Sequence, residues 1–178
     1  GDVLGRTVGV SDTKAYNRVF MGRTRAIRRG GATAAVVRSH LAGLQSVTDA
    51  WPSDEQFTEA WMTGHAYSAL NNGRIVYILS KLSETYRNSK TEQLKVTGQL
   101  TVEHLMPQAW VAHWLLSDGS RGINNPWSVP ADDPQALATR ARSAIVQTFG
   151  NLTLITGSLN SAISNGAWAT KRAAIEAN

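Results

Sequence analysis

Up to about Lys95 the apolar residues of this chain recur at helical spacing; beyond it they fall into short β-branched runs. That change of period constrains the fold more than any other feature. Residues 32–48 read as a helix with Ala35, Val36, Leu41, Leu44 and Val47 on one side. After the break at Trp51-Pro52, Ser53 with Gln56 three residues on resembles a capping box and opens a helix over 54–70. Asn71-Asn72-Gly73 ends it. Ile75, Val76, Ile78, Leu79, Leu82 and Tyr86 then form the clearest apolar stripe of the sequence. By contrast, residues 99–105 alternate β-branched and polar side chains and predict a strand that turns at Pro107. Residues 117–134 read as an irregular loop, and Pro134 suits the first turn of a helix stopped near Gly150. Residues 151–155 predict a second strand, and residues from Ser158 on a helix in two pieces around Asn165-Gly166. Strand, strand, helix outlines a small site rather than a large sheet. The expected class is α+β, predominantly α-helical.

Composition narrows the chemistry. With 42% hydrophobic and 17% charged residues the chain can bury a core. No run of about 18 apolar residues is present, so no transmembrane helix and no membrane partner is expected. Cysteine is absent, which excludes disulfides, thiolate zinc sites, iron–sulfur clusters and thiol catalysis; a cytoplasmic setting fits. The net charge of +5 is unevenly placed, because residues 1–40 alone carry +6. Half of the eight basic residues there are Arg23, Arg25, Arg28 and Arg29, bracketed by Gly22 and Gly30-Gly31, which predicts a loop. Guanidinium groups this close either attract phosphates or form a solvated basic linker.

Polar residues concentrate at Glu103-His104 and from Asn151 to Asn160. A carboxylate beside an imidazole offers a hard oxygen ligand and a proton acceptor, although a surface ion pair is the plainer reading of the isolated pair. On a strand the two point to opposite faces unless the strand ends there. A buried Asn151 at the head of a strand must be hydrogen-bonded and could tie two loops together. Asn160 falls inside a helix, where its propensity is poor, and its amide oxygen could ligate a metal or simply face solvent. His40, His65 and His113 lack a motif context and read as structural or surface residues. Trp110, Trp114 and Trp127 flank the inserted segment and read as core before base-stacking platforms. Arg140 and Arg142 fit either a phosphate backbone or solvent.

Thr101-Val102-Glu103-His104-Leu105-Met106-Pro107-Gln108, then Gly150-Asn151-Leu152-Thr153-Leu154-Ile155, then Asn160, Ser164-Asn165 and Lys171 resemble the C-terminal nuclease domain of GmrSD-type restriction endonucleases. That domain also occurs at the C-terminus of SspE-like phage-defence proteins. The resemblance implies a helical bundle packed on a small ββα-metal core of HNH type. It divides the chain into a basic N-terminal segment over 1–50, a helical segment over 51–98, and the core over 99–178 with an insertion at about 108–148. The resemblance further implies that His104 is the general base, that Glu103 and Asn160 hold the metal, and that Asn151 braces the loop positioning the base. Lys171 then holds a phosphate, and Arg172 joins Arg23, Arg25, Arg28 and Arg29 on the nucleic acid. Asn165 matches a frequent asparagine of unassigned role. Since the last ligand is asparagine rather than histidine, the expected cofactor is a hard divalent ion, Mg2+ or Mn2+. The expected function is metal-dependent DNA nicking within a longer restriction or phage-defence protein. The resemblance also implies an NTP-using sensor domain as the N-terminal partner, and this chain carries no P-loop lysine motif of its own. The alternative is a nucleic-acid-binding module with a degenerate nuclease site.

Overall fold

The computed structural model of the chain describes residues 16–44, 50–86 and 98–177. The chain divides into two compact units, residues 1–64 and 65–178. In the first, α1 (Tyr16–Gly30) packs against α2 (Ala34–Ala42), burying Val19 and Leu41. The arginine cluster therefore lies in a helix, not in the loop that its flanking glycines predict. Arginine and alanine favour helix strongly enough to carry Gly22 in the interior. Gly22 has a packing reason to be there: a Cβ at this position would come within 2.9 Å of the His40 ring on α2. Gly31, at φ +88°, ends α1 by donating to the Ile27 carbonyl at 2.8 Å. Thr33 caps α2; the helix predicted over 32–48 stops at Ala42, and 45–49 lie outside the described residues.

The capping box at α3 (Asp54–Thr63) is present in both directions, Gln56 N to Ser53 Oγ at 3.2 Å and Ser53 N to Gln56 Oε1 at 2.9 Å. The helix predicted over 54–70 is nevertheless two helices. Gly64 is extended, and a Cβ there would stand 2.3 Å from the Ala60 carbonyl oxygen. Only a residue without a side chain fits this break.

The second unit begins with α4 (Ala66–Ala69) and α5 (Asn72–Tyr86). Helix α5 lies against both strands of the unit and buries Ile75 and Ile78, each worth about 1.5–3 kcal/mol. Strand β1 (Leu100–His104) pairs antiparallel with β2 (Leu152–Thr156), in a register running from Leu100 opposite Thr156 to His104 opposite Leu152. Helix α8 (Gly157–Ile163) follows β2 directly and packs on both strands, and α9 (Trp168–Glu176) packs on α8. Thus the two-stranded sheet and the helix that follows it bring distant sequence segments together.

Between the strands lie α6 (Trp110–His113) and α7 (Pro134–Ile145). They close a small core of Met106, Trp110, Leu116 and Val146, with Val111 and Trp114 against it. Asp133 caps α7 through Ala136 N at 2.7 Å, ahead of Pro134. Helix α7 stops at Ile145, short of the predicted end near Phe149. The next two carbonyls have other partners: Val146 O accepts from Asn151 Nδ2 at 2.9 Å, and Gln147 O accepts from Tyr67 N at 3.0 Å. A short 3-10 turn, Phe149–Asn151, then leads into β2. No helix among the described residues is long and apolar enough to cross a membrane.

Candidate active site

The pleat of β1 sends Thr101 and Glu103 to one face and His104 to the other. On the first face, the Lys171 ammonium from α9 is paired with Glu103 Oε1 and donates to the His104 carbonyl at 2.7 Å. Lys171 is 0% exposed. Burying an ammonium is tolerable only because a carboxylate and a carbonyl receive it. Lys171, expected to hold a phosphate, is in this structure an internal counter-charge to Glu103 at the end of β1.

Asn160, half-buried on α8, reaches the same face. Its Nδ2 donates to Thr101 Oγ1 at 3.0 Å and to Val102 O at 3.3 Å. A carbonyl can only accept, so the nitrogen must be the atom facing Val102 and the orientation of the amide is fixed. Asn160 Oδ1 and Glu103 Oε2 then accept no hydrogen bond from any described residue. Two hard oxygens on one strand face, one anionic and one neutral, suit a magnesium-class ion, which takes few protein ligands and keeps water or phosphate in its other positions. Among the described residues no group of three or more His, Cys, Asp or Glu side chains gathers that could hold a metal.

On the other face, His104 is 7% exposed. Its Nε2 meets Gln147 Oε1 at 3.2 Å, and Gln147 Nε2 donates in turn to Gln108 Oε1 at 3.1 Å. The Tyr67 ring stands edge-on to the imidazole at 4.3 Å between centroids. Burial pushes the His104 pKa down from its ordinary value; the Gln147 contact and the Glu103 charge oppose this, and Lys171 adds to it. The imidazole is thereby favoured in its neutral, proton-accepting form.

Asn151 joins the loop after β1 to the turn before β2. Its Oδ1 accepts from Met106 N at 2.8 Å, while Nδ2 donates to Met106 O at 2.8 Å and to Val146 O at 2.9 Å. Its own carbonyl accepts from Leu105 N at 2.9 Å. Asn151 thus fixes the backbone just after His104 and just before Gln147.

The remaining expected residues make none of the hydrogen bonds described for this cluster. Arg172 is exposed and pairs with Glu176 at 2.8 Å. Arg25, Arg28 and Arg29 are exposed on α1, whereas Arg23 is half-buried over the Phe20 ring at 4.8 Å. Asn165 is exposed between α8 and α9. Trp110 is core, and Trp127 is exposed beneath the Arg140 guanidinium at 4.9 Å. Sequence reasoning missed Gln147 and Tyr67. A polar residue four positions before Asn151 was the only signal for the first, and none existed for Tyr67, whose place depends on the break at Gly64.

Comparison with known families matches residues 51–178 to the GmrSD restriction endonucleases, C-terminal domain. The chain belongs to this family. All five residues of the cluster, Glu103, His104, Asn151, Asn160 and Lys171, fall within the matched span. The family is one of restriction endonucleases, so the domain is of the restriction-nuclease type. Comparisons with curated proteins and with solved structures find no match.

Proposed function

We propose that this GmrSD-type domain is a metal-dependent DNA endonuclease that nicks one strand per active site. The observation carrying this reading is the pair of unengaged hard oxygens, Glu103 Oε2 and Asn160 Oδ1, beside the strand end that bears a buried neutral imidazole. The order β1, β2, α8 supports reading the core as the ββα arrangement of HNH-type nucleases. Glu103 and Asn160 would hold a divalent ion, Mg2+ or Mn2+, which when bound supplies charge relief to the phosphate and its leaving oxygen. His104 takes the proton of the attacking water, a contribution of about 10²–10⁴ in rate. Asn151 keeps that imidazole in place by fixing the loop that follows it. Lys171 holds the Glu103 carboxylate from within and steadies the carbonyl of His104. Exposed Arg172, and Arg25, Arg28 and Arg29 of α1, are free of the core and suited to phosphates. The DNA partner, and an NTP-using sensor domain elsewhere in a longer chain, follow from the same reading.

The Lys171–Glu103 pair also favours a second reading, a nucleic-acid-binding module with a silent site, because an ammonium already balances the carboxylate. Supercoiled plasmid separates the two. Nicking that needs Mg2+ or Mn2+, stops with chelator and disappears in His104→Ala supports the enzyme. Salt-sensitive binding with no nicking in Mg2+, Mn2+, Zn2+ or Ca2+ sinks it in favour of the module.

A further inference from the structure

We propose that Gln147 is a positioning residue that fixes the tautomer of His104, making Nδ1 the nitrogen that accepts the proton. This rests on the nuclease reading above. The two ring nitrogens are in different positions. Nε2 is taken by Gln147 Oε1 at 3.2 Å, whereas Nδ1 has no hydrogen-bond partner among the described residues. A nitrogen already bonded to a protein amide cannot also meet an attacking water, so the working nitrogen is Nδ1. For Nδ1 to be basic, the single proton of the neutral ring must sit on Nε2, and that requires an acceptor in front of Nε2.

Gln147 presents that acceptor. Its amide nitrogen is turned the other way, onto Gln108 Oε1 at 3.1 Å. The side chain is also anchored through its own backbone, whose carbonyl receives Tyr67 N at 3.0 Å. The Tyr67 ring, 4.3 Å from the imidazole and edge-on, limits rotation of the ring that the amide has oriented. Once Nδ1 has taken the proton of water, both ring nitrogens are donors, and Gln147 Oε1 remains the correct partner for Nε2. With the opposite amide orientation, an N–H would face an N–H at that moment. Gln147 thus favours both the starting tautomer and the protonated ring, without itself touching substrate. Gln108, inside the Glu103–Gln108 run that carries the family resemblance, acts one step further out.

The test is Gln147→Leu against Gln147→Glu in the full chain. Leucine keeps the size and the backbone bond to Tyr67 but offers no acceptor; glutamate can only accept, and Gln108 can turn its amide to donate to it. Long-range ring 15N correlation spectra of the neutral, metal-free protein should show His104 protonated at Nε2 in wild type and in Gln147→Glu, and a mixture of tautomers in Gln147→Leu. In plasmid nicking with saturating Mg2+, Gln147→Leu should lose about 10- to 100-fold in kcat with KM little changed, as when other residues that orient a functional histidine are removed. Gln147→Glu should recover most of that loss. Unchanged ring spectra and a kcat within about twofold of wild type in Gln147→Leu would overturn the proposal. A wild-type protein that never nicks DNA instead overturns the nuclease reading, and the ring spectra still report whether Gln147 fixes the tautomer.

Discussion

Lys171 and Asn151 are buried polar residues whose removal should be felt in stability, for different reasons. Lys171→Met leaves the Glu103 carboxylate buried without its partner, a situation that typically costs about 3–5 kcal/mol. The urea midpoint should fall accordingly, whereas a lysine serving only as a surface phosphate contact would leave it within about 0.5 kcal/mol. Asn151→Ala strands Met106 N, Met106 O and Val146 O at once. At about 1–3 kcal/mol for each buried group left unsatisfied, some of it recovered by water, a loss of several kcal/mol is expected in the same measurement. His104 contributes through pH. Its folded-state pKa is depressed, chiefly by burial, so protonation favours the unfolded chain. The stability it supports is complete above about pH 6.5 and is lost as pH falls through the lowered folded value. In chelator, urea midpoints measured between pH 5 and 8 should therefore decline on the acid side, and His104→Gln should flatten that decline. An identical slope in the variant would exclude His104 as its source.

At the level of elements, the same side chains explain what was legible in the sequence. Strands β1 and β2, the capping box of α3, the proline start of α7 and the stripe of α5 each depend on local chemistry, and each is found within a few residues of its expected place. The misplaced boundaries depend on contacts that no local pattern encodes. Helix α7 ends early because Asn151 and Tyr67 claim the carbonyls after it, and the predicted 54–70 helix divides because Gly64 cannot carry a side chain there. The site was legible as a set of residue types, Glu103, His104, Asn151 and Asn160, but Gln147 became visible only when the fold brought it to His104. The inserted segment holds a similar dependence at Gly122, where a Cβ would stand 2.6 Å from Trp110 Cη2. Trp110 has little room to yield, since it is 2% exposed, donates to Ser143 Oγ at 3.3 Å and lies under the Arg142 guanidinium at 5.2 Å. Gly122→Ala should lower stability by about 1–3 kcal/mol and alter the near-ultraviolet dichroism of tryptophan. A neutral result would show that the loop, not the ring, absorbs the methyl group.

For the molecule as a whole, the charge distribution sets the basic residues suited to phosphates apart, along the chain, from the proposed nuclease site. Residues 1–40 carry +6 while the remainder of the chain carries −1, and the family match begins only at residue 51. The basic excess therefore lies outside the span that carries the cluster of Glu103, His104 and Asn160. Helical spacing places Arg25, Arg28 and Arg29 on one side of α1, all three exposed, a geometry able to follow consecutive phosphates. Neutralising one phosphate releases counterions with a slope of about −0.9 in log K against log salt. Replacing the three arginines with glutamine in a His104→Ala background should then make that slope shallower by about two to three and weaken binding most at low salt. The same replacements in the active protein should leave the nicking rate at saturating DNA unchanged, because none of the three is part of the His104 cluster. A slope unaltered by all three substitutions would assign the attraction to other cations, with Arg172 on α9 the first to replace. A loss of saturated rate would instead show that the N-terminal arginines take part in the chemical step, against the division of labour that the charge distribution describes.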